Sequence, residues 1–599
     1  MADRSLFMEG GQLESPLVRL CIEAATQSGD AVETWRRQRR TLERLPSQLA
    51  EALLHRLLCR RLLYPSLLEV FKYSVEKIDL RGESSVDAEW MAYLGAFQYL
   101  CSLNVSDCHR INSSALWALS GMRYLKEVDL SRCSKVDDAG VKHLLSIQTI
   151  EILCISETSV TTNGVTLLSS LKRLSKLDLG GLFVTDTALA SLQVLTNLQH
   201  LDLWGSDISN EGASILVKFP NLTFLNLAWT KVTILPNVSS IACLNMSNCT
   251  IHSIFKGEGN KARLSKLILA GALFKDITKA FSYFDSNYLS FLDLSNSSLR
   301  DLSFLSFLHA LECLDLSGNL VGDDSVKYIA YVGANLKTLN LSNTRVSSVG
   351  VAVLVGHVPK LETISLDSTP TDDLAISYIG MISSLKVVNM KCTNVRGVIQ
   401  QNGGDAECVL SLTALENLKQ LEKLNLEETP LKDEAIIPIP NIKQLTHLSL
   451  RSSFLTDASL HHLSSIPNLM NLSMQDAILT NAGIESFNPP PSLQVLDLTG
   501  CWLLTKDALL SFVQRHSDIE VRHVLVTTFL SDNEDNKYHS PSQTLIRTSQ
   551  QRRFSSSPLK SEIATIIDQR VKYSRAELLS MQFACTSVGP SSNPPTSPK

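Results

Sequence analysis

Leu174-Ser-Lys-Leu177-Asp-Leu179, Leu198-Gln-His-Leu201-Asp-Leu203 and Leu222-Thr-Phe-Leu225-Asn-Leu227 are three copies of one phrase, apolar-x-x-apolar-x-apolar, each 24 residues after the last. Upstream the phrase recurs as Leu100-Cys-Ser-Leu103-Asn-Val105, Leu125-Lys-Glu-Val128-Asp-Leu130 and Ile150-Glu-Ile-Leu153-Cys-Ile155. Downstream come less regular copies at Ile241, Leu264 and Leu289, then Leu311, Leu336, Leu361 and Leu385, and a last run at Leu421, Leu445, Leu469 and Leu493. A unit this short cannot bury its own leucines. Neighbours must stack, so that stability grows as a sum of interface terms between successive units. Within each unit the phrase reads as a short strand whose apolar residues point inward while the residues between them point to the opposite face. The remainder should return as a helix, as Ala139-Gly-Val-Lys-His-Leu-Leu145 suggests.

The ninth position of the phrase holds Cys108, Cys133, Thr158, Cys249, Asn319, Thr344 or Thr369. Phrase, period and this small polar position resemble the intracellular classes of leucine-rich repeat protein. The resemblance covers about three quarters of the chain and implies that the ninth residue bonds the turning backbone. The expected fold is an α/β solenoid, a leucine-rich repeat horseshoe with parallel strands on the concave face, a helical N-terminal cap and a disordered C-terminal tail. The expected divisions are 1–74, 75–526 and 527–599. Asn104-Val-Ser, Asn340-Leu-Ser and Asn471-Leu-Ser are then by-products of the repeat, not glycosylation sites.

Composition narrows the function. The chain of 599 residues carries 55 Lys and Arg against 60 Asp and Glu, a balance that argues against a protein built to coat nucleic acid. No run approaches the roughly 18 apolar residues of a membrane span, and the N-terminus has no secretory apolar region. The 13 cysteines are scattered singly, without disulfide or zinc spacing, so no metal or other cofactor is expected. The expected compartment is a reducing one, the cytoplasm, with the nucleus as a second location. There is no phosphate-binding glycine loop, His-Glu-x-x-His or nucleophile elbow, and His461-His462 is a lone pair on a repeat helix. No catalytic residue is expected. Two interruptions, Lys256-Gly-Glu-Gly-Asn260 and Gln400-Gln-Asn-Gly-Gly-Asp405, read as surface loops, the alternative being loops that help the concave face hold a partner.

Residues 12–73 lack the phrase and read as helices. Pro16-Leu17 opens one; Leu45-Pro46-Ser-Gln-Leu49-Ala-Glu-Ala-Leu53 puts leucines on one face of another. The plain reading is a cap over the first unit's open apolar edge. Pro16-Leu17-x-x-x-Cys21-x-x-x-Ala25 also resembles the elongin-binding box of ubiquitin-ligase substrate receptors. Leu45, Pro46, Leu49 and Leu53 are similar to the cullin box, and to the opening of an F-box. That resemblance implies an elongin, cullin or Skp-type partner. The run Arg36-Arg37-Gln38-Arg39-Arg40 alternates with Glu33, Glu43 and Glu51, which suits a solvated helix face better than phosphate binding.

From about Thr527 the composition turns to Ser, Pro, Asn and charge, too polar to offset chain entropy by burial. Ser540, Ser557 and Ser597 precede prolines, and Ser555 follows Arg552-Arg553-Phe554, so these four are candidate phosphosites. One island differs. About 561–582, Ile563, Ile566, Ile567 and Val571 fall at helical spacing, followed by Tyr573-Ser-Arg575-Ala-Glu-Leu578-Leu579. This Tyr-x-x-x-x-Leu-apolar motif resembles that of the partners of eukaryotic translation initiation factor 4E. With twelve tyrosines the bare pattern is expected by chance about half a time per chain, and Arg575 lowers that about tenfold. Tyr573 alone fits; Tyr331 fails at Lys337.

With the solenoid, the motif resembles plant leucine-rich repeat interactors of factor 4E. The resemblance implies a non-enzymatic adaptor that binds factor 4E and its isoform, and other initiation factors with them, and that promotes translation initiation. It implies that Tyr573 packs on the factor's back, that Leu578 and Leu579 meet an apolar patch, and that Arg570, Lys572 and Arg575 meet acidic surface. A direct nucleic-acid or membrane partner is not expected.

Overall fold

The computed structural model describes residues 16–37, 45–256, 262–281, 285–399 and 409–526. The chain divides into two units, 1–539 and 540–599, and every described residue belongs to the first. Nineteen parallel strands, from Lys77–Asp79 to Glu520–Arg522, form one sheet in which each strand pairs with the next in sequence, in register. Ile78 lies opposite Leu103, Leu103 opposite Val128, and Leu177 opposite Leu201. The strands' central residues are therefore stacked one above another in a single continuous core. The apolar triad of the phrase supplies that core; residues on either side of the central one face out.

The strand must turn sharply to begin its return, and the eighth residue of the phrase makes the turn in the left-handed region. Gly181, Gly205 and Gly318 hold this place without steric penalty; Asp107, Arg132, Glu157, Trp229 and Cys392 hold it at φ of 53–63°. The ninth residue then bonds the backbone, as expected. The Cys108 and Cys133 thiols donate to the Leu80 and Val105 carbonyls one unit back, both at 3.2 Å. Thr158, Thr344 and Thr369 donate to the Ile155, Leu341 and Leu366 carbonyls at 2.6–2.8 Å. The Asn319 amide reaches both the Leu294 and the Leu316 carbonyl, at 2.8 and 2.9 Å. Burial pushes the Cys108 thiol up to about 11 and the Cys133 thiol up to about 12, which keeps both protonated as donors.

The return legs correct the uniform helix expected from the sequence. Asp138–Leu144 and Asp373–Ile379 are α-helices, whereas Ser113–Leu119, Ser303–Phe307 and Ser411–Asn417 are 3₁₀. Two units return through neither: Ile234–Pro236 and Ser253–Lys256 form a short parallel pair of their own. The step from Leu222 to Ile241 is only 19 residues, and Pro236 lacks the amide a helix would use. Of the two interruptions, all but Lys256 lie outside the described residues. The second is closed at its base by an antiparallel pair, Val398–Ile399 with Val409–Leu410.

Adjacent units are also stapled through side chains. Asp186, first residue of its helix, accepts from the Ser209 amide at 2.9 Å and hydroxyl at 2.5 Å in the next unit. Asp138 does the same to Thr161, Asp323 to Ser347, and Asp457 to Thr480. Three residues after each of these caps stands a glycine, and a Cβ on Gly164, Gly212, Gly350 or Gly483 would lie within 2.0–2.5 Å of the aspartate oxygen.

Among the described residues at the N-terminal end, the α-helices α1 (Pro16–Ala25), α2 (Gly29–Arg36) and α3 (Ser47–Cys59) and a 3₁₀ turn, Pro65–Val70, precede the first strand. Ala50, Leu53, Leu54 and Leu57 of α3 join the core of the first unit. The Glu51 carboxylate accepts from the Glu76 and Lys77 amides at 3.2 and 3.0 Å, satisfying backbone donors where the open edge begins. Arg36 is engaged inside this segment, donating to Glu33, to the Tyr64 hydroxyl and to Ser66 at 2.8–3.1 Å. Gln38, Arg39 and Arg40 lie outside the described residues.

Candidate functional site

The exposed face of the sheet is built from two columns of side chains that flank the buried central column. The column after it runs Asp129, Cys154, Asp178, Asp202, Asn226 and Asn245, one residue per strand. Most of these aspartates and asparagines accept from the backbone amide two residues on: Asp129 from Ser131, Asp178 from Gly180 and Asp202 from Trp204, at 2.9–3.0 Å. This turn geometry is the Asx type. It explains the Asn-x-Ser pattern, since Asn104 and Asn340 accept from the Ser106 and Ser342 amides in the same way.

Two places on the face depart from that routine. At its centre the column before the buried one carries Lys176, His200 and Phe224 in register. The His200 and Phe224 rings stack with centroids 3.8 Å apart and planes 4° from parallel. Burial, with Lys176 beside it, lowers His200 to about 4, so the imidazole is neutral at pH 7. The neighbouring carboxylates Asp178 and Asp202 are both raised, first by burial; Asp202, with Asp178 as its next cause, reaches about 7. Ser156 donates to Asp178 at 3.1 Å and the Asn226 amide to Asp202 at 3.0 Å. The Trp204 indole lies over Gly180, where a Cβ would come within 2.0 Å of Nε1. An aromatic floor lies beside two carboxylates whose pKa values are raised, Asp202 to about 7, and burial pushes the adjacent Cys154 thiol up to about 12, which keeps it protonated.

The second departure lies toward the C-terminal end, between Lys423–Glu427 and Glu520–Arg522. Here His447, Ser449, Asn471, Ser473, Gln475 and Asp497 line a depression of about 240 Å³. Its rim carries a charged network: Lys391 pairs with Glu427 at 3.1 Å, and Arg451 with Glu428 and Asp476 at 3.0 and 2.6 Å. Glu428 also accepts from the Cys392 thiol at 3.0 Å, which together with the lysine and arginine lowers its pKa.

Of the partner residues expected from the sequence, those that are described lie in the N-terminal segment and not on this face. Leu17 and Cys21 are exposed on α1; Leu45 and Leu49 are half-buried, Pro46 is exposed at the start of α3, and Leu53 is buried in the cap core. His461 is exposed and His462 half-buried on the helix Asp457–Leu463. Tyr573, Arg575, Leu578, Leu579, Arg570 and Lys572, like Ser540, Ser555, Ser557 and Ser597, lie outside the described residues. Sequence reading passed over Trp204, the His200–Phe224 stack and the Ser449–Ser473 depression. The only signal for them was that polar face positions turn aromatic, or shrink to serine, in consecutive units. Among the described residues no set of three His, Cys, Asp or Glu could hold a metal ion, and no helix is long and apolar enough to cross a membrane.

A family model described as a Leucine Rich repeat matches residues 194–217 and 308–330. No curated protein matches the sequence. Among solved structures the chain is similar to an internalin from Listeria monocytogenes, at 16% identity over 68% of this chain and 93% of that one, TM-score 0.34. It is also similar to a repeat protein of Leptospira interrogans, at 17% identity over 77% and 99%, TM-score 0.37. A third is the ectodomain of a plant membrane receptor kinase from Arabidopsis thaliana, at 17% identity over 77% and 56%, TM-score 0.36.

Proposed function

We propose that this chain, a leucine-rich repeat solenoid, is a cytoplasmic, non-enzymatic adaptor that binds eukaryotic translation initiation factor 4E through its C-terminal motif. The observation that carries the reading is the single Tyr573-x-Arg575-x-x-Leu578-Leu579 motif, which follows in sequence after the last described strand, Glu520–Arg522. In this reading Tyr573, Leu578 and Leu579 are anchors of a helix-in-groove contact, with Arg570, Lys572 and Arg575 as rim charges. The whole resembles CERES, a plant repeat protein that binds factor 4E, and the positive effect on translation initiation comes from that resemblance. The sheet face supplies the second half of an adaptor, a surface of stacked rings, carboxylates and one depression suited to holding another protein. Pull-down of factor 4E by the full chain, but not by a chain ending at residue 527, is the expected result; equal recovery by both would overturn the reading.

One observation favours a second reading. Leu17 and Cys21 of the elongin-box resemblance stand exposed on α1, as a docking helix requires. The cullin-box resemblance is less favoured, because Leu53 serves the cap core. Recovery of elongin or cullin that survives tail truncation and is lost on Leu17→Asp would support the ligase receptor.

A further inference from the structure

The depression between Lys423–Glu427 and Glu520–Arg522 has a cause in the sequence. In most units the column after the buried one is filled by Asp or Asn, such as Asn389 and Asn425, whose oxygens accept from the Lys391 and Glu427 amides at 3.2 and 2.9 Å; Cys154, Ile268, Ser365 and Arg522 are single exceptions. In two successive units that position is Ser449 and Ser473, and the strands His447–Arg451 and Asn471–Gln475 run on in register for five residues instead of turning after three. Two missing side chains leave a trough. On its floor the Ser473 hydroxyl oxygen is buried and has no hydrogen-bond partner. A buried polar group without a partner is costly unless something supplies one.

The lining says what would. Every charge at the trough already has a partner in the fold: Glu427 pairs with Lys391 at 3.1 Å and Arg522 with Glu520 at 2.8 Å. Asp497 accepts from the Thr499 amide and from Gln475 Nε2, each at 2.9 Å. His447 is held below its ordinary pKa by burial and Lys423, so it is neutral at pH 7. A charged guest would therefore meet no free counter-charge. A neutral group that donates and accepts together would satisfy Ser473 beside the Asn471 amide and the carbonyl end of Gln475. The volume, about 240 Å³, falls below the roughly 300–1,000 Å³ of small-molecule sites and suits one side chain.

We propose that this trough is a specificity pocket for the carboxamide of one asparagine or glutamine in an extended polypeptide laid across the strands. The proposal rests on the reading of the sheet face as protein-binding, and not on the tail motif. Random linear peptides displayed on phage and selected on the full chain test it. A Ser449→Asn, Ser473→Asn double variant refills the column with the residue its neighbours carry, so it should fold and melt like the parent. Selected peptides should share Asn or Gln at one position. Their affinity should fall at least about tenfold for the double variant, and about as much when that residue is changed to Glu or Asp. Peptides without a fixed amide, or with equal affinity for both proteins, overturn the pocket. If affinity falls instead for a His200→Ala, Phe224→Ala variant and not for the serine variant, the pocket is refuted while the protein-binding face stands. Sensitivity to neither variant refutes both.

Discussion

Asp202→Asn should change the sign of its effect on stability between pH 4.5 and pH 8. In the folded chain Asp202 keeps its proton to about 7, because it is buried and faces Asp178; Asp129, Cys154, Lys176 and His200 also lie around the pair. The unfolded chain releases that proton near the ordinary value of 3.8. Between the two values the folded state binds more protons, so stability falls as pH rises from about 4 to about 7. A rise of about three pH units corresponds to at most about 4 kcal/mol, and solvent reaching these half-buried carboxylates reduces it to about 2 kcal/mol. Asparagine keeps the oxygen that accepts from the Trp204 amide, but it cannot accept from Asn226 as a carboxylate does, a loss of about 1 kcal/mol. The variant should therefore be less stable than the parent by about 1 kcal/mol at pH 4.5 and more stable by about 1 kcal/mol at pH 8. Guanidinium unfolding of both proteins, followed by circular dichroism at fixed ionic strength, measures the difference. A difference that does not move with pH would refute the account of the carboxylate pair.

The staple between units predicts a coupled pair: Asp186→Ala and Gly212→Ala each destabilise by about 2 kcal/mol, and together by at least about 1 kcal/mol less than their sum, because the added methyl no longer meets the carboxylate. Additive effects in denaturant midpoints would contradict it. Gly180→Ala should push the Trp204 indole off its glycine, shifting tryptophan emission to the red and costing about 1–3 kcal/mol; an unchanged spectrum would count against the packing. Deleting residues 1–73 should bare the core face of the first unit and the amides that Glu51 engages, so the remainder should aggregate or melt early. A monomer with the parent's melting temperature would show that the segment is no cap.

The units themselves were legible because the core positions of the phrase are leucine, isoleucine or valine, with methionine at Met246, Met390 and Met474, a recurrence that survives in the linear chain from Leu100 to Leu493. The ninth-position donors were legible for the same reason. The return legs were not. Ser113–Leu119 closes as 3₁₀ and Asp138–Leu144 as α although Leu100 to Leu125 and Leu125 to Ile150 are both steps of 25 residues, so the period that reveals the unit does not reveal its return. The staples escaped notice because Asp186 and Ser209 are 23 residues apart and neither is unusual alone. The face was least legible. His200 and Phe224 meet only because consecutive strands lie in register, and the Ser473 hydroxyl, in register with Ser449, is buried without a partner. Such properties belong to pairs of units and leave no period in the sequence.

The adaptor reading meets its most direct test in a calorimetric titration of purified factor 4E into the full chain and into a Tyr573→Ala, Leu578→Ala, Leu579→Ala variant. Anchors of a helix-in-groove contact each cost about 2 kcal/mol or more on truncation, so the parent should bind saturably and the variant not measurably. Arg575→Ala should weaken binding less, and more at low salt than at high, as a rim charge does. Both variants should melt with the parent, since these residues lie beyond the repeats. Binding by the triple variant equal to that of the parent, or no binding by the parent, would contradict the account.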